Sequence, residues 1–322
     1  MKIYRDYENI PKTGRGKVLA IGNFDGIHTG HRFLLNLVTK KAKQHSNNKN
    51  TNLSAVLTFE PHPLKVLRPK IKINRLLSFR TKVLRLKNLG IETIFSIRFN
   101  KNLSLLTAEE FIQRVLISSL EVKHIIVGSD FRFGRKRTGD VKLLREFSNR
   151  KEFELTVVKP VLVEGKKCSS SILREFISCG DIESANTVMV NPWEVEGKVV
   201  RGATRGRGLG FPTANILYKR QMFPSDGIYA AWVYLEEEKK WNMAAVSSGK
   251  RPFFKGVQRI LEAYLLDFSG NLYGKRVRIF FMKKIRSELD FNSVRELVNQ
   301  MEQDCINIKE ILKNHPIDNG II

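Results

Sequence analysis

The sequence predicts an α/β protein in two parts: an N-terminal doubly wound parallel sheet, then a C-terminal antiparallel β-barrel with a terminal helix. Three observations predict it. Over residues 1–186, apolar strand-like runs alternate with helical periods, the order that builds parallel sheets with helices on both faces. From Trp193, short strand-like runs follow one another with turn signals and no helix between them until residue 292. Sequential strands without crossovers pair antiparallel, and about six of them favour a small barrel. The pattern changes near 187, so the 322 residues divide into 1–186 and 187–322, each within the roughly 100–200 residues of an ordinary domain.

The elements follow in order. An apolar run over 18–21 breaks at Gly22, and a helical period begins at His31 and runs to 44. Residues 45–52 are polar and read as a loop, and 53–59 is a second strand ending in Glu60-Pro61-His62-Pro63, where two prolines stop regular structure. A helix over 80–89 closes at Gly90, a strand spans 93–99, and a helix spans 108–120 with Thr107 and Glu110 in capping-box positions. A buried strand over 124–127 runs into Gly128-Ser129-Asp130-Phe131-Arg132-Phe133-Gly134. A helix over 143–149, a strand within 153–163 and a helix over 172–178 complete the first part. The barrel strands are 195–200, 213–217, 228–235, 241–246, 261–268 and 276–281, and the last helix spans 292–312.

Composition narrows the class. Aromatic content of 9% and hydrophobic content of 42% support packed cores. The net charge is +24, with 56 Lys and Arg against 32 Asp and Glu. It is spread along the chain without a block of like charges, so it reads as a basic surface for anionic small molecules rather than a nucleic-acid footprint. Cys168, Cys179 and Cys305 have no metal or disulfide spacing and read as reduced thiols. No apolar leader and no membrane-length apolar run occurs, which predicts a cytoplasmic protein.

The chemistry concentrates after strands. In the turn Gly22-Asn23-Phe24-Asp25 and the following His28-Thr29-Gly30-His31, a helix start offers unpaired N–H groups to an anion. Gly30 allows close approach, and two imidazoles project from one face. H-x-G-H is similar to the signature of nucleotidylyl transferases and class I aminoacyl-tRNA synthetases, where the imidazoles stabilise charge on the ATP α-phosphate. Ser170 and Ser171 have two readings, helix caps or triphosphate ligands. Arg174 near the same helix start opposes the dipole unless an anion lies between. In the second part, the glycine-rich Gly202–Gly210 loop, with Arg207, suits a polyphosphate. Thr213 and Asn215 alternate on a strand, and a hydroxyl with a carboxamide suits Mg²⁺. Glu262, on an apolar strand, is either a surface carboxylate or a general base aimed at a hydroxyl in the barrel mouth.

Together the motifs resemble the prokaryotic bifunctional riboflavin kinase/FAD synthetase family from end to end. They are IGNFDGIHTGH (21–31), TFEPHP (58–63), VGSDFRFGRKRTGD (127–140), SSSILR (169–174), RGRGLGFPTAN (205–215), DGIYA (226–230), EAYLLDFSGNLYG (262–274) and IRSELDFNSVRELVNQMEQD (285–304). The resemblance implies an N-terminal nucleotidylyl transferase (FMN adenylyltransferase) domain and a C-terminal riboflavin kinase domain. The kinase half would phosphorylate riboflavin with ATP, Thr213 and Asn215 holding Mg²⁺ and Glu262 activating the ribityl hydroxyl. The other half would adenylylate FMN to FAD. His28, His31, Ser170, Ser171 and Arg174 match its ATP and transition-state residues. Phe59, Pro61, Pro63, Asp130, Phe131 and Phe133 match its flavin contacts. The expected cofactor is Mg²⁺, with ATP as co-substrate, flavins as substrate and product, self-association allowed, and no nucleic-acid or membrane partner.

Departures from the family pattern are Ser171 for a threonine, Ile172 for a basic residue, Phe253 in Arg251-Pro252-Phe253, and Val246-Ser247-Ser248-Gly249 without an asparagine. Two rivals stand beside this reading: a chain with one active half and a weakened kinase, and, from the +24 charge, a nucleic-acid-binding regulator on the same fold.

Overall fold

The computed structural model describes residues 1–46, 52–70, 74–163, 165–202, 205–218, 220–253 and 256–321. Two compact units emerge, Met1–Ile73 with Lys82–Cys168, and Asn74–Thr81 with Ser169–Ile322.

The first unit is organised by one parallel sheet. Its strands are β1 (Lys2–Tyr4), β2 (Val18–Ile21), β3 (Ser54–Glu60), β4 (Thr93–Arg98), β5 (His124–Gly128) and β6 (Glu154–Val158), in the order β1-β4-β3-β2-β5-β6. All four residues of β2 are buried, as a central parallel strand covered on both faces requires. One face carries Leu19, Ile21, Leu57, Phe95, Ile125 and Val127, packed with Phe111, Ile112, Val115 and Leu144. The helix Thr29–Gln44 buries Leu34, Leu35, Val38 and Ala42. Two short strands, β7 (Leu162–Val163) and β8 (Lys166–Lys167), form a hairpin after the sheet.

Several local details differ from the sequence reading. β1 adds an edge strand too short and too exposed to carry a pattern. β3 ends at Glu60, before the two prolines, as expected, but Pro63 then opens a short helix, Pro63–Leu67; at the first helical position its missing N–H forfeits no hydrogen bond. The capping box of Thr107 and Glu110 forms as expected, but the helix widens to a π-helix over Phe111–Ser119.

In the second unit, β9 (Glu194–Val200), β10 (Ala214–Leu217), β11 (Gly227–Leu235), β12 (Lys240–Phe253), β13 (Gly256–Leu265) and β14 (Arg276–Arg286) close into a barrel, order β10-β13-β12-β11-β14-β9. Every pair is antiparallel. The terminal helix Val294–Asn314 lays Ile308 and Leu312 on Ala230 and Leu266. Trp193 is fully buried and its indole donates to the Leu76 carbonyl at 2.9 Å, which ties Asn74–Thr81 to this unit. A bidentate ion pair, Arg278 to Glu194 at 2.6 and 3.1 Å, is buried in the wall between β9 and β14.

Removing one partner of such a pair leaves an uncompensated buried charge. Glu194→Ala is expected to lower stability by about 3–5 kcal/mol, read from the urea midpoint. Adding Arg278→Met should recover most of the loss; a double variant as unstable as the single one would contradict the charge explanation.

Candidate active sites

The first site forms where β2 ends. Gly22 still donates to the Leu57 carbonyl at 3.0 Å, so the turn leaves the sheet in register. Phe24, Gly26 and Ile27 then take φ of 49°, 94° and 43°. Such angles disfavour Phe and Ile, yet both side chains are fully buried and packing holds them. A Cβ at Gly30 would lie 3.2 Å from the His28 ring, which explains the glycine between the histidines.

His28 caps the helix: its Nδ1 accepts the His31 N–H at 3.3 Å. Its proton therefore sits on Nε2. The two rings stack with centroids 3.6 Å apart, and Phe24 lies 5.1 Å from His31. Burial pushes His28 down to about 4. Burial, His28 and the Lys82 ammonium hold His31 well below the usual imidazole range. Both rings are neutral at pH 7, and the site can receive an anion through N–H donors without a charged imidazole.

Lys82 carries no motif and escaped the sequence reading. It is 6% exposed. Its ammonium donates to the Asn23 carbonyl at 3.2 Å, the Thr58 hydroxyl at 3.3 Å and the Glu60 carboxylate at 3.3 Å. Asn23 also meets His62 Nε2 at 3.3 Å. The 22–25 and EPHP turns are thus joined, with Pro61 and Pro63 flanking His62. Asp25 is buried in the same turn.

An aromatic row continues from there. Phe59 lies 5.7 Å from Phe99 and 6.5 Å from Phe111; Phe133 lies 5.7 Å from Phe111 and stacks on Phe131 at 5.4 Å. Phe59, Phe131 and Phe133 therefore line one apolar run, as flavin contacts would need. Asp130 is exposed and paired with Lys167 at 2.6 Å, and that ammonium holds its carboxyl below the usual carboxylate range. These turns follow β2, β3 and β5, the strand ends where ligands of open α/β sheets bind.

Cys168, the residue before the serine run, lies against Gly30, 3.7 Å from where a Cβ would stand. Ser169 caps the helix Ser170–Cys179, accepting from the Ile172 N–H at 3.3 Å. The cap is thus neither Ser170 nor Ser171. Arg174 turns back to the Ser170 carbonyl at 3.0 Å. This helix packs in the second unit, whereas His28 and His31 belong to the first.

The second site lies on the barrel wall. Glu262 pairs in register with Asn215 on one side and Ser247 on the other, so the three side chains share a face. Glu262 and Tyr264 alternate with buried Leu261, Ala263 and Leu265. Tyr264 packs in the cluster under the terminal helix. Glu262 therefore lies on the outer, helix-covered face of the wall rather than inside the barrel mouth. A cavity of about 440 Å³ opens there, lined by Thr213, Ser247, Glu262, Tyr264, Glu288 and Asp304 among others.

Thr213 also lines a second cavity, of about 710 Å³, with Arg201, Ala263, Phe268 and Tyr273. It stands just before β10 rather than within it. A Cβ at Gly202 would come within 2.1 Å of the Asn215 amide, and one at Gly206 within 3.4 Å of the Thr213 hydroxyl. Gly202 is thus pressed onto Asn215, and Gly206 lies within contact distance of Thr213. Gly210 has φ of 85°. The side chains of Arg207 and of residues 250–258 lie outside the described residues.

Arg286 and Asp304 were also missed by the sequence reading. Arg286 grips the buried Asp304 by Nε at 3.0 Å and Nη2 at 2.8 Å, and Gln300 donates to the same carboxylate at 2.9 Å. They fix the terminal helix over the cavity.

A sheet-based nucleotide-type site and a barrel-wall cavity with a carboxylate on one chain define a two-site, two-domain enzyme class. A family model of FAD synthetase matches residues 10–172, and one of riboflavin kinase matches 189–312. The bifunctional riboflavin kinase/FMN adenylyltransferase of Buchnera aphidicola (subsp. Schizaphis graminum) is 36% identical over 313 residues, covering 96% of this chain and 98% of that protein. The protein of the same description from Escherichia coli K12 is 35% identical, covering 96% and 97%. A solved Streptococcus pneumoniae chain, described as a macrolide-efflux protein, superposes with a TM-score of 0.84 at 29% identity, covering 95% of this chain and 98% of that one. Among the described residues no helix is long and apolar enough to cross a membrane. The chain belongs to the bifunctional riboflavin kinase/FMN adenylyltransferase family, and is a transferase with both activities.

The depressed histidine has a consequence for stability. The unfolded chain takes up a proton on His28 near pH 6.5 and the folded chain only near 4. Stability is thus fully present above 6.5 and falls as pH drops towards 4, by about 3 kcal/mol for this group. In an NMR titration the His28 imidazole should stay neutral through pH 6.5; a midpoint at that value would contradict its buried, uncharged state.

Proposed function

We propose that the HTGH turn carries adenylyl transfer and the barrel wall carries phosphorylation, with functional domains 1–186 and 187–322. The observation that carries this reading is the shared face of Asn215, Glu262 and Ser247 across three strands, because it gives the kinase half a carboxylate beside oxygen donors.

In the barrel, Glu262 accepts the proton of the riboflavin ribityl hydroxyl as that oxygen attacks the γ-phosphorus of ATP. ADP leaves and FMN forms. Gly202, Arg207 and Gly210 hold the ATP phosphates in the glycine loop. Thr213 and Asn215 fit Mg²⁺, since a hydroxyl and a carboxamide oxygen are hard donors. When bound, Mg²⁺ neutralises phosphate charge.

In the sheet domain, an FMN phosphate oxygen attacks the α-phosphorus of a second ATP, and pyrophosphate leaves. Gly22, Asn23, Phe24, Asp25 and Gly30 form the nucleotide turn. His28 and His31 act as neutral N–H donors to the charge growing on the α-phosphate. Ser170, Ser171 and Arg174 hold the departing phosphates. Phe59, Pro61, Pro63, Asp130, Phe131 and Phe133 receive the flavin. The enzyme acts on small molecules in the cytoplasm and needs neither nucleic acid nor membrane.

Product separation after incubation with ATP and Mg²⁺ tests the assignment. Glu262→Ala should lower FMN formation from riboflavin by about 10²–10⁴-fold, as loss of a general base does, and leave FAD formation from supplied FMN near wild type. His31→Ala should do the reverse. Equal damage to both steps by either change would sink the one-site-per-domain assignment.

A further inference from the structure

Among the described residues, one group of three metal-ligating side chains lies outside both sites: His45, His124 and Glu154. His45 caps the C-terminal end of the Thr29–Gln44 helix. His124 and Glu154 are the first residues of β5 and β6 and are direct parallel partners. The group sits at the N-terminal edge of the sheet, opposite the edge that carries the HTGH turn.

Three ligand atoms converge there. His45 Nε2 lies 3.3 Å from His124 Nδ1, His124 Nδ1 lies 3.1 Å from Glu154 Oε2, and His45 Nε2 lies 3.5 Å from the same oxygen. A tetrahedral ion with bonds of about 2.0–2.1 Å holds its ligand atoms about 3.3 Å apart. The triangle already has that size. His124 Nε2 meets the Thr156 hydroxyl at 2.8 Å. An oxygen partner on the outer nitrogen fixes the tautomer of a metal-bound imidazole and leaves the other lone pair for the ion. The group borders a cavity of about 660 Å³, lined also by Glu121, Lys123, Lys151 and Glu152, which gives an ion a way in and a water a fourth position.

We propose that His45, His124 and Glu154 bind one late first-row divalent ion of the Zn²⁺ type, tying the end of the first helix to β5 and β6. Two imidazoles and one carboxylate select such an ion over Mg²⁺ or Ca²⁺, which require six or more mostly oxygen ligands. The site is separate from the Mg²⁺ site assigned to Thr213 and Asn215.

Cobalt tests it. The untagged full chain, stripped with chelator, is titrated with CoCl₂ alone. The expected result is one equivalent giving the intense visible absorption of four-coordinate Co²⁺, abolished by added Zn²⁺, with a raised melting temperature. His45→Gln and Glu154→Gln alter half-exposed or exposed side chains, and each should weaken binding at least tenfold, about 1.4 kcal/mol, while the metal-free chain melts as wild type. His31→Gln should leave the spectrum intact. No four-coordinate spectrum in the wild type, a spectrum that survives in the His45→Gln/Glu154→Gln double variant, or one lost in His31→Gln would each overturn the proposal.

Discussion

Everything in the first unit depends on how the chain leaves β2. A strand buried on both faces must pass its backbone to a helix within residues 22–28. The turn manages this with left-handed residues at Phe24, Gly26 and Ile27, held by burial of the two large side chains. The result is a helix N-terminus capped by a neutral imidazole instead of a hydroxyl or carboxylate. A carboxylate cap would satisfy the same N–H groups but would repel an incoming phosphate. His28 supplies the acceptor and keeps an N–H donor on its far side. Lys82 beneath the turn reinforces this, since its ammonium disfavours protonation of His31.

The barrel meets a different constraint. A buried ion pair, Arg278 with Glu194, links β9 and β14 in its wall, and the polar side chains beside Glu262 lie on the outer face. There the register of β10, β12 and β13 lines up Asn215, Ser247 and Glu262. The terminal helix roofs that face and is anchored by Arg286 on Asp304.

What was legible in the sequence follows the strength of each physical signal. The runs that became β2, β3 and β5 are continuous apolar stretches and read directly as buried parallel strands. The period-2 alternation around Glu262 identified its facemates Tyr264 and Leu266, but period alone does not say which side of a barrel wall a face is on; only the helix packed over it does. β1 was missed because three edge residues carry no alternation. The helix after Pro63 was missed because proline is read as a breaker unless its place at the helix start is known. Lys82, Arg286 and Asp304 could not be singled out: each is an ordinary charged residue until tertiary packing sets it against partners far along the chain. His45, His124 and Glu154 are likewise separated in sequence: the parallel register of β5 and β6 sets His124 beside Glu154, and the end of the first helix brings His45 to them.

The central claim is that two chemically distinct transfers from ATP occur on one chain, attack at γ-phosphorus followed by attack at α-phosphorus. Feeding wild-type protein riboflavin with ATP labelled separately at the α- and γ-phosphates tests it most directly. The account predicts FMN carrying γ-label alone and FAD carrying α- and γ-label in equal amounts. Flavin products without γ-label, or α-label appearing in FMN, would contradict it.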